Sequence, residues 1–182
     1  MPTIKARYPT WFPQLPSIGG LKYYAGVRLG KMISVSVSPE YQQASALGGN
    51  RRIFSSAAVA LNISSLTLEA FESMFGSKDT GDDELSDALS VSKRGGLAYI
   101  TGEQVDGRRF WRVHLLRDVT FIPPSESAVT YNGQVTFTTP SISGTAWPDY
   151  MAGKWRERKD FDDPDDAELA LDLISSIGGL MK

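Results

Sequence analysis

Very few side chains in this sequence could do chemistry. There is one histidine, His114, and no cysteine. Thiolate nucleophiles, thiolate metal sites and disulfides are therefore excluded, and a multi-histidine metal site cannot be built. A serine–histidine–carboxylate relay would have to use His114 as its base. Strict alternation over 110–121 puts His114 on one strand face with Phe110, Arg112, Leu116, Asp118 and Thr120, because side chains in a strand point to alternate faces. No G-x-S-x-G elbow accompanies it, so His114 reads as structural. The acidic cluster Asp79, Asp82, Asp83, Glu84 and Asp87 lacks the ligand spacing and terminal glutamate of an EF-hand. The expectation is no enzyme, no cofactor and no metal.

The elements that would carry such residues are mostly strands. The clearest is Lys31–Pro39, where Ile33, Val35 and Val37 alternate with Ser34, Ser36 and Ser38. One face is apolar and the other carries only small hydroxyls, with Pro39 expected to end the strand. Gln134–Thr139 repeats the pattern, with Val135 and Phe137 against Gln134, Thr136 and Thr138. Leu97–Phe121 reads as a hairpin about the turn Val105-Asp106-Gly107-Arg108. Its returning strand is expected to place Trp111, Val113, Leu115, Val119 and Phe121 on one face. Further extended pieces fall at 21–29, 53–63 and 141–147, 40–52 reads as a polar loop, and 155–161 carries mixed charge around Trp155 and Phe161.

Two segments change period. Leu68, Phe71, Met74 and Phe75 predict a short helix over 67–75, closed by Gly76. Asp163 as cap, Pro164, Asp165 and Asp166 open a C-terminal helix with a stripe of Ala170, Leu173, Ile174 and Ile177, widened by Leu169. It ends at Gly178-Gly179. The fold class expected is mostly β (α+β): a β-sandwich with a short internal helix and a C-terminal flanking helix. Residues 1–20, with prolines at 2, 9, 13 and 16, read as an arm, and residues 21–182 as one domain. Tyr8, Trp11 and Phe12 give the arm apolar surface to bury, either on its own core or on a neighbouring subunit.

Charge narrows the partners. With 19 basic and 21 acidic residues the formal charge is −2, which provides no general attraction for nucleic acid or an anionic membrane. No basic-then-apolar leader opens the sequence. No apolar run approaches the roughly 20 residues that span a bilayer. A cytosolic folding site fits the lack of cysteine.

In order and spacing, several stretches resemble one family. They are Leu21-Lys22-Tyr23-Tyr24-Ala25, Ile33 to Glu40, the Asn50–Ile53 turn, Phe110-Trp111-Arg112, Phe137 to Gly144, and Trp155 to Asp162 before an acidic-capped helix. Together they resemble the major tail proteins of long-tailed, non-contractile phages, especially of Gram-positive hosts. That resemblance implies a tail-tube fold and hexameric rings stacked into a tube. It also implies a lumen passing double-stranded DNA and the tape-measure protein, other tail proteins at the tube ends, and a virion assembled in the host cytoplasm. The arm is longer, and the turn between Tyr24 and Gly30 shorter, than the family pattern.

On this reading Ser34, Ser36, Thr136 and Thr138 are candidates for the lumen face, although alternation alone leaves bulk solvent equally open. Tyr8, Trp11, Phe12, Asp82, Asp83, Asp106 and Gly107 are candidates for inter-subunit contact. Two other readings stand beside it: another tail part, such as a terminator or distal tail protein, and a β-sandwich carbohydrate- or receptor-binding module using Trp11, Trp111, Trp147 and Trp155.

Overall fold

The structure is a computed structural model. It describes residues 4–15, 20–44, 51–63, 66, 68–75, 93–123, 127–131, 134–138, 141–149 and 151–180.

The chain is mostly β. Strands β1 (Ile4–Leu15), β2 (Lys22–Tyr23), β3 (Val27–Arg28), β4 (Met32–Ala44), β5 (Arg51–Ile63), β6 (Gly95–Val105), β7 (Arg108–Phe121), β10 (Ile142–Ala146) and β11 (Arg156–Phe161) form one open antiparallel sheet. Its order is β2-β1-β6-β7-β10-β5-β4, with β11 joined to β7 and β3 to β1. Strands β8 (Ser127–Tyr131) and β9 (Gln134–Thr138) pair only with each other. The helices are α1 (Leu68–Phe75), α2 (Pro164–Asp172) and α3 (Ile174–Ile177).

A single sheet thus stands where two stacked sheets are expected. It curls far enough for β1 and β4, near opposite ends of the strand order, to touch. Trp11, Leu97, Tyr99 and Leu116 from one end and Val59, Leu61, Ile63 and Ile142 from the other share one core under α1. A second core lies on the opposite face of β1-β6-β7. There Phe12, Ile100, Trp111, Val113 and Leu115 meet Ala167, Leu171 and Ile174 of α2 and α3.

Residues 4–15 of the expected arm are an interior strand. β1 pairs β6 on one side and β2 and β3 on the other. Its prolines fit because the ladder is irregular. The register shifts twice between Ile4 and Thr10, Tyr8 takes φ 53°, and the Pro9 and Pro13 carbonyls accept hydrogen bonds from the Leu29 and Tyr24 amides. Adjacent side chains point to opposite faces, so Trp11 enters one core and Phe12 the other.

Strand β4 does not stop at Pro39 but continues to Ala44, and β5 begins at Arg51, so much of the expected 40–52 loop is hairpin. Pro39 survives there because β4 is an edge strand paired only with β5 among the described residues. The turn at Asp106 (φ 50°) and Gly107 (φ 81°) is the expected left-handed two-residue connection.

The long strand β7 does not keep one face throughout. Leu97 is opposite Leu116 but Gly95 is opposite Val119, so β7 carries an extra residue there. Such a bulge reverses side-chain parity. Trp111, Val113 and Leu115 therefore join the helix-side core, while Leu116, Val119 and Phe121 join the other. β7 also changes partner there, from β11 over 111–116 to β10 over 119–121.

The C-terminal helix begins as expected, with Asp163 Oδ1 accepting from the Asp165 amide at 2.8 Å. It breaks at Leu173 into α2 and α3 before the left-handed Gly178 (φ 77°).

Close strand contact predicts one sensitive glycine. A Cβ on Gly144 would lie 2.4 Å from a Phe121 ring carbon and 2.6 Å from the Thr120 carbonyl oxygen. Gly144→Ala must push β10 off β7, and overpacking of this kind costs about 1–3 kcal/mol. Urea unfolding of the variant measures it.

Candidate functional site: an uncharged sheet face

The serine face of β4 is one part of a larger surface. Ser34, Ser36 and Ser38 stand opposite Asn62, Ala60 and Ala58 of β5. Ala60 and Ala58 stand opposite Ser143 and Thr145 of β10, and Thr145 opposite Thr120 of β7. All lie on the solvent side, exposed or half-buried. The inward partners Val59, Leu61, Ile63, Ile142 and Ala146 fill the core. The pattern alone produces this split, since every second residue on these strands is apolar.

From Ser34 to Ser38 the face is polar without charge, and the exposed Glu40, opposite Ser56, is the first charge along it. No Asp, Glu, Lys or Arg occurs in 32–39, 53–63, 119–123 or 141–147. Its polar atoms bind one another where described: Asn62 Nδ2 donates to Ser34 Oγ at 2.7 Å, and Trp147 Nε1 donates to Thr120 Oγ1 at 3.0 Å. Such a surface stays wetted, yet it lacks the cations that would hold phosphate or the carboxylates that would hold a metal. It has no nucleophile–base pair, because His114 lies on a different part of the sheet.

Of the expected lumen residues, Ser34 and Ser36 are both on this face and exposed. Thr136 and Thr138 are on β9, whose strand pairing is to β8 and not to the serine face; their side chains lie outside the described residues. Ala58, Ala60, Asn62, Ser143 and Thr145 complete the surface. The sequence signal for the first three was their alternation with Val59, Leu61 and Ile63. Of the expected contact residues, Tyr8 is exposed with the Arg28 guanidinium 5.0 Å from its ring centre. Trp11 and Phe12 are 0% and 1% exposed inside the protomer's own cores, so they present nothing to a neighbour. Asp106 and Gly107 are exposed at the hairpin turn. Asp82 and Asp83 lie outside the described residues.

No family model, no curated protein and no solved structure matches this chain.

The charged side chains gather elsewhere, on β6, β7 and β11. Arg112 is forked between Asp160 (2.6 Å) and Glu103 (3.0 Å). The bonded Arg112 guanidinium holds the Asp160 carboxyl below its ordinary value. Asp118, expected beside His114, instead pairs with Arg94 at the β7 bulge. Burial raises its carboxyl pKa, opposed by Arg94. His114 stacks on Tyr99 with ring centres 4.7 Å apart, and its Nε2 is 2.8 Å from Thr101 Oγ1. The same burial lifts the Tyr99 phenol to about 12. No group of three or more His, Asp or Glu among the described residues could hold a metal ion.

His114 carries a pH prediction. Burial first, then Arg112, Arg158 and Arg156, lower its pKa to about 4. The unfolded chain takes this proton near pH 6.5 and the folded chain near 4, so the unfolded state binds more protons between them. Stability from this residue is therefore complete above pH 6.5 and falls as pH drops toward 4, by at most about 1.4 kcal/mol per pH unit. Subtracting the unfolding free energy of His114→Gln from that of the wild type across pH 4–8 isolates the slope. A difference that stays flat below pH 6.5 would contradict the assignment.

Proposed function

We propose that this chain is a tail-tube subunit, a major tail protein of a long-tailed, non-contractile phage. In this reading it assembles as hexameric rings stacked into a conduit for DNA and the tape-measure protein. The observation that carries the reading is the uncharged hydroxyl-and-alanine face spread over β4, β5, β10 and β7. Phosphate retention by proteins comes from Lys and Arg, which release condensed counterions on binding. A wall of Ser34, Ser36, Ser38, Asn62, Ser143 and Thr145 offers a passing polyanion water and hydroxyls but no counter-charge. The wall ends at β4, a 13-residue strand whose outer edge has no strand partner among the described residues. Such edges invite pairing with another chain, and a closed ring of heterologous contacts uses every edge.

The sugar-binding alternative has less support. Trp11 and Trp111 are buried, and Trp155 is stacked on Phe54 at 4.2 Å, leaving Trp147, 38% exposed, as the open ring. One exposed indole is a small platform for a carbohydrate.

Self-assembly tests the reading. The purified chain should form rings or tubes in negative stain, with sedimentation showing a concentration-dependent shift to large species. A chain that remains monomeric up to its solubility limit would overturn it.

A further inference from the structure

We infer that subunits meet head to tail, an arginine–aromatic surface on β11 and the β4–β5 hairpin of one copy receiving the acidic, leucine-bearing face of α2 of a second copy. This rests on the self-assembly proposed above and names the surfaces that would form its contact.

The receiving surface lies beyond the end of the first core. The Arg156 guanidinium sits 4.5 Å from the centre of the Trp155 ring, Trp155 stacks on Phe54, and Phe54 meets Tyr41 edge-on at 6.0 Å. Arg158 follows on the same face of β11, opposite His114. The nearby carboxylates are already committed, since Asp160 and Glu103 both bind Arg112. Neither Arg156 nor Arg158 has an ion-pair partner among the described residues. Burial lowers the Arg156 pKa, and the neighbouring Arg158 lowers it further. Tyr41, half exposed, adds apolar surface. This is a cationic, aromatic patch whose two guanidinium groups make no direct ion pair among the described residues, with Asp160, held by Arg112, as the nearest carboxylate on that face.

The complementary surface is α2. Residues 162–172 hold six acidic and no basic side chains. Asp162 pairs with Arg108, and Glu168 and Asp172 share Arg28. Asp165 and Asp166 are exposed and in no ion pair among the described residues. Leu169, 54% exposed, follows them at helical spacings of four and three, so the three share one side of the helix. Two carboxylates beside a leucine complement two guanidinium groups beside aromatic rings.

The two surfaces cannot meet within one protomer. Ala167 and Leu171 anchor α2 on the side of the sheet that carries Trp111 and Val113, whereas Arg156, Arg158 and His114 face the other side. Complementary patches on opposite faces make a heterologous contact, which closes into a ring or runs on as a filament.

Charge reversal on the full-length chain tests this. Arg156→Glu/Arg158→Glu and Asp165→Arg/Asp166→Arg should each raise the concentration for half-assembly by about tenfold or more, because like charges then oppose each other. Mixed in equal amounts, the two variants should co-assemble near the wild-type concentration, since every contact between unlike copies is again complementary. Raising salt should weaken wild-type assembly. Circular dichroism checks folding, and if a reversed variant is unfolded, Arg156→Gln/Arg158→Gln decides by the same readout. Wild-type assembly by folded variants overturns this inference and leaves the tube reading standing; a wild-type chain that never assembles overturns both.

Discussion

Replacing Arg117 with methionine is expected to destabilise the fold by about 3–5 kcal/mol, the range for removing one partner of a buried ion pair. Its side chain is 8% exposed, and Nε donates to Asp149 Oδ2 at 3.0 Å, with Asp149 5% exposed. Nη1 lies 3.4 Å from Glu157 Oε1 and 3.4 Å from the Gly178 carbonyl oxygen. The backbone is held too, since the Arg117 amide donates to Trp155 O and its carbonyl accepts from the Tyr23 hydroxyl at 2.7 Å. Burial of that hydroxyl pushes its pKa well above the usual phenol value. One side chain therefore joins the β7 bulge, the 147–155 segment, β11 and the C-terminal residues. Methionine fills similar volume but leaves two carboxylates facing a poorly hydrated space. A control separates the orphaned charge from lost packing. Arg117→Met/Asp149→Asn keeps an oxygen for the Met151 and Ala152 amides, which now donate to Asp149 Oδ1. It should recover part of the loss in urea midpoint at unchanged m-value. A double variant no more stable than Arg117→Met would show that packing, not the unpaired carboxylate, sets the cost.

Period and turn chemistry made the local elements legible. The Asp106-Gly107 hairpin, α1 and the Asp163 cap follow from residue types whose backbone preferences act within a few positions. The apolar and hydroxyl faces of β4 and β5 were equally plain, because alternation is a local property. What stayed hidden depends on distant partners. The β7 bulge arises where the strand changes neighbours, and nothing local in Leu116-Arg117-Asp118-Val119 marks which residue is extra. Pro39 reads as a stop because its missing N–H would break a central ladder; at a sheet edge it need not. The N-terminal prolines suggested an arm for the same reason. The stronger clue is Trp11 beside Phe12: consecutive large apolar residues in an extended chain require burial on both faces, which a strand between two cores offers.

That placement sets the second large effect. Trp11→Ala is expected to cost about 3–5 kcal/mol, as for other buried tryptophans. The indole is 0% exposed, packs edge-on against Phe121 with ring centres 5.6 Å apart, and lies opposite Leu97 in the β1–β6 ladder. It also fills the space left by Gly95, where a Cβ would come within 2.5 Å of its ring. One atom opposes this packing: Nε1 is buried with no hydrogen-bond partner among the described residues. Leaving such a donor unmet costs roughly 1–3 kcal/mol. Trp11→Phe removes that cost while keeping an aromatic ring, so the smaller ring's lost packing is partly offset. Its net loss should be no more than about 1 kcal/mol. Denaturant unfolding of the monomer reads both substitutions. The comparison also separates two roles for residues 4–15. In an arm gripping a neighbour, Trp11→Ala would weaken assembly and leave the isolated subunit's unfolding unchanged. In an interior strand the isolated subunit itself loses stability, and assembly fails because there is less folded chain to assemble.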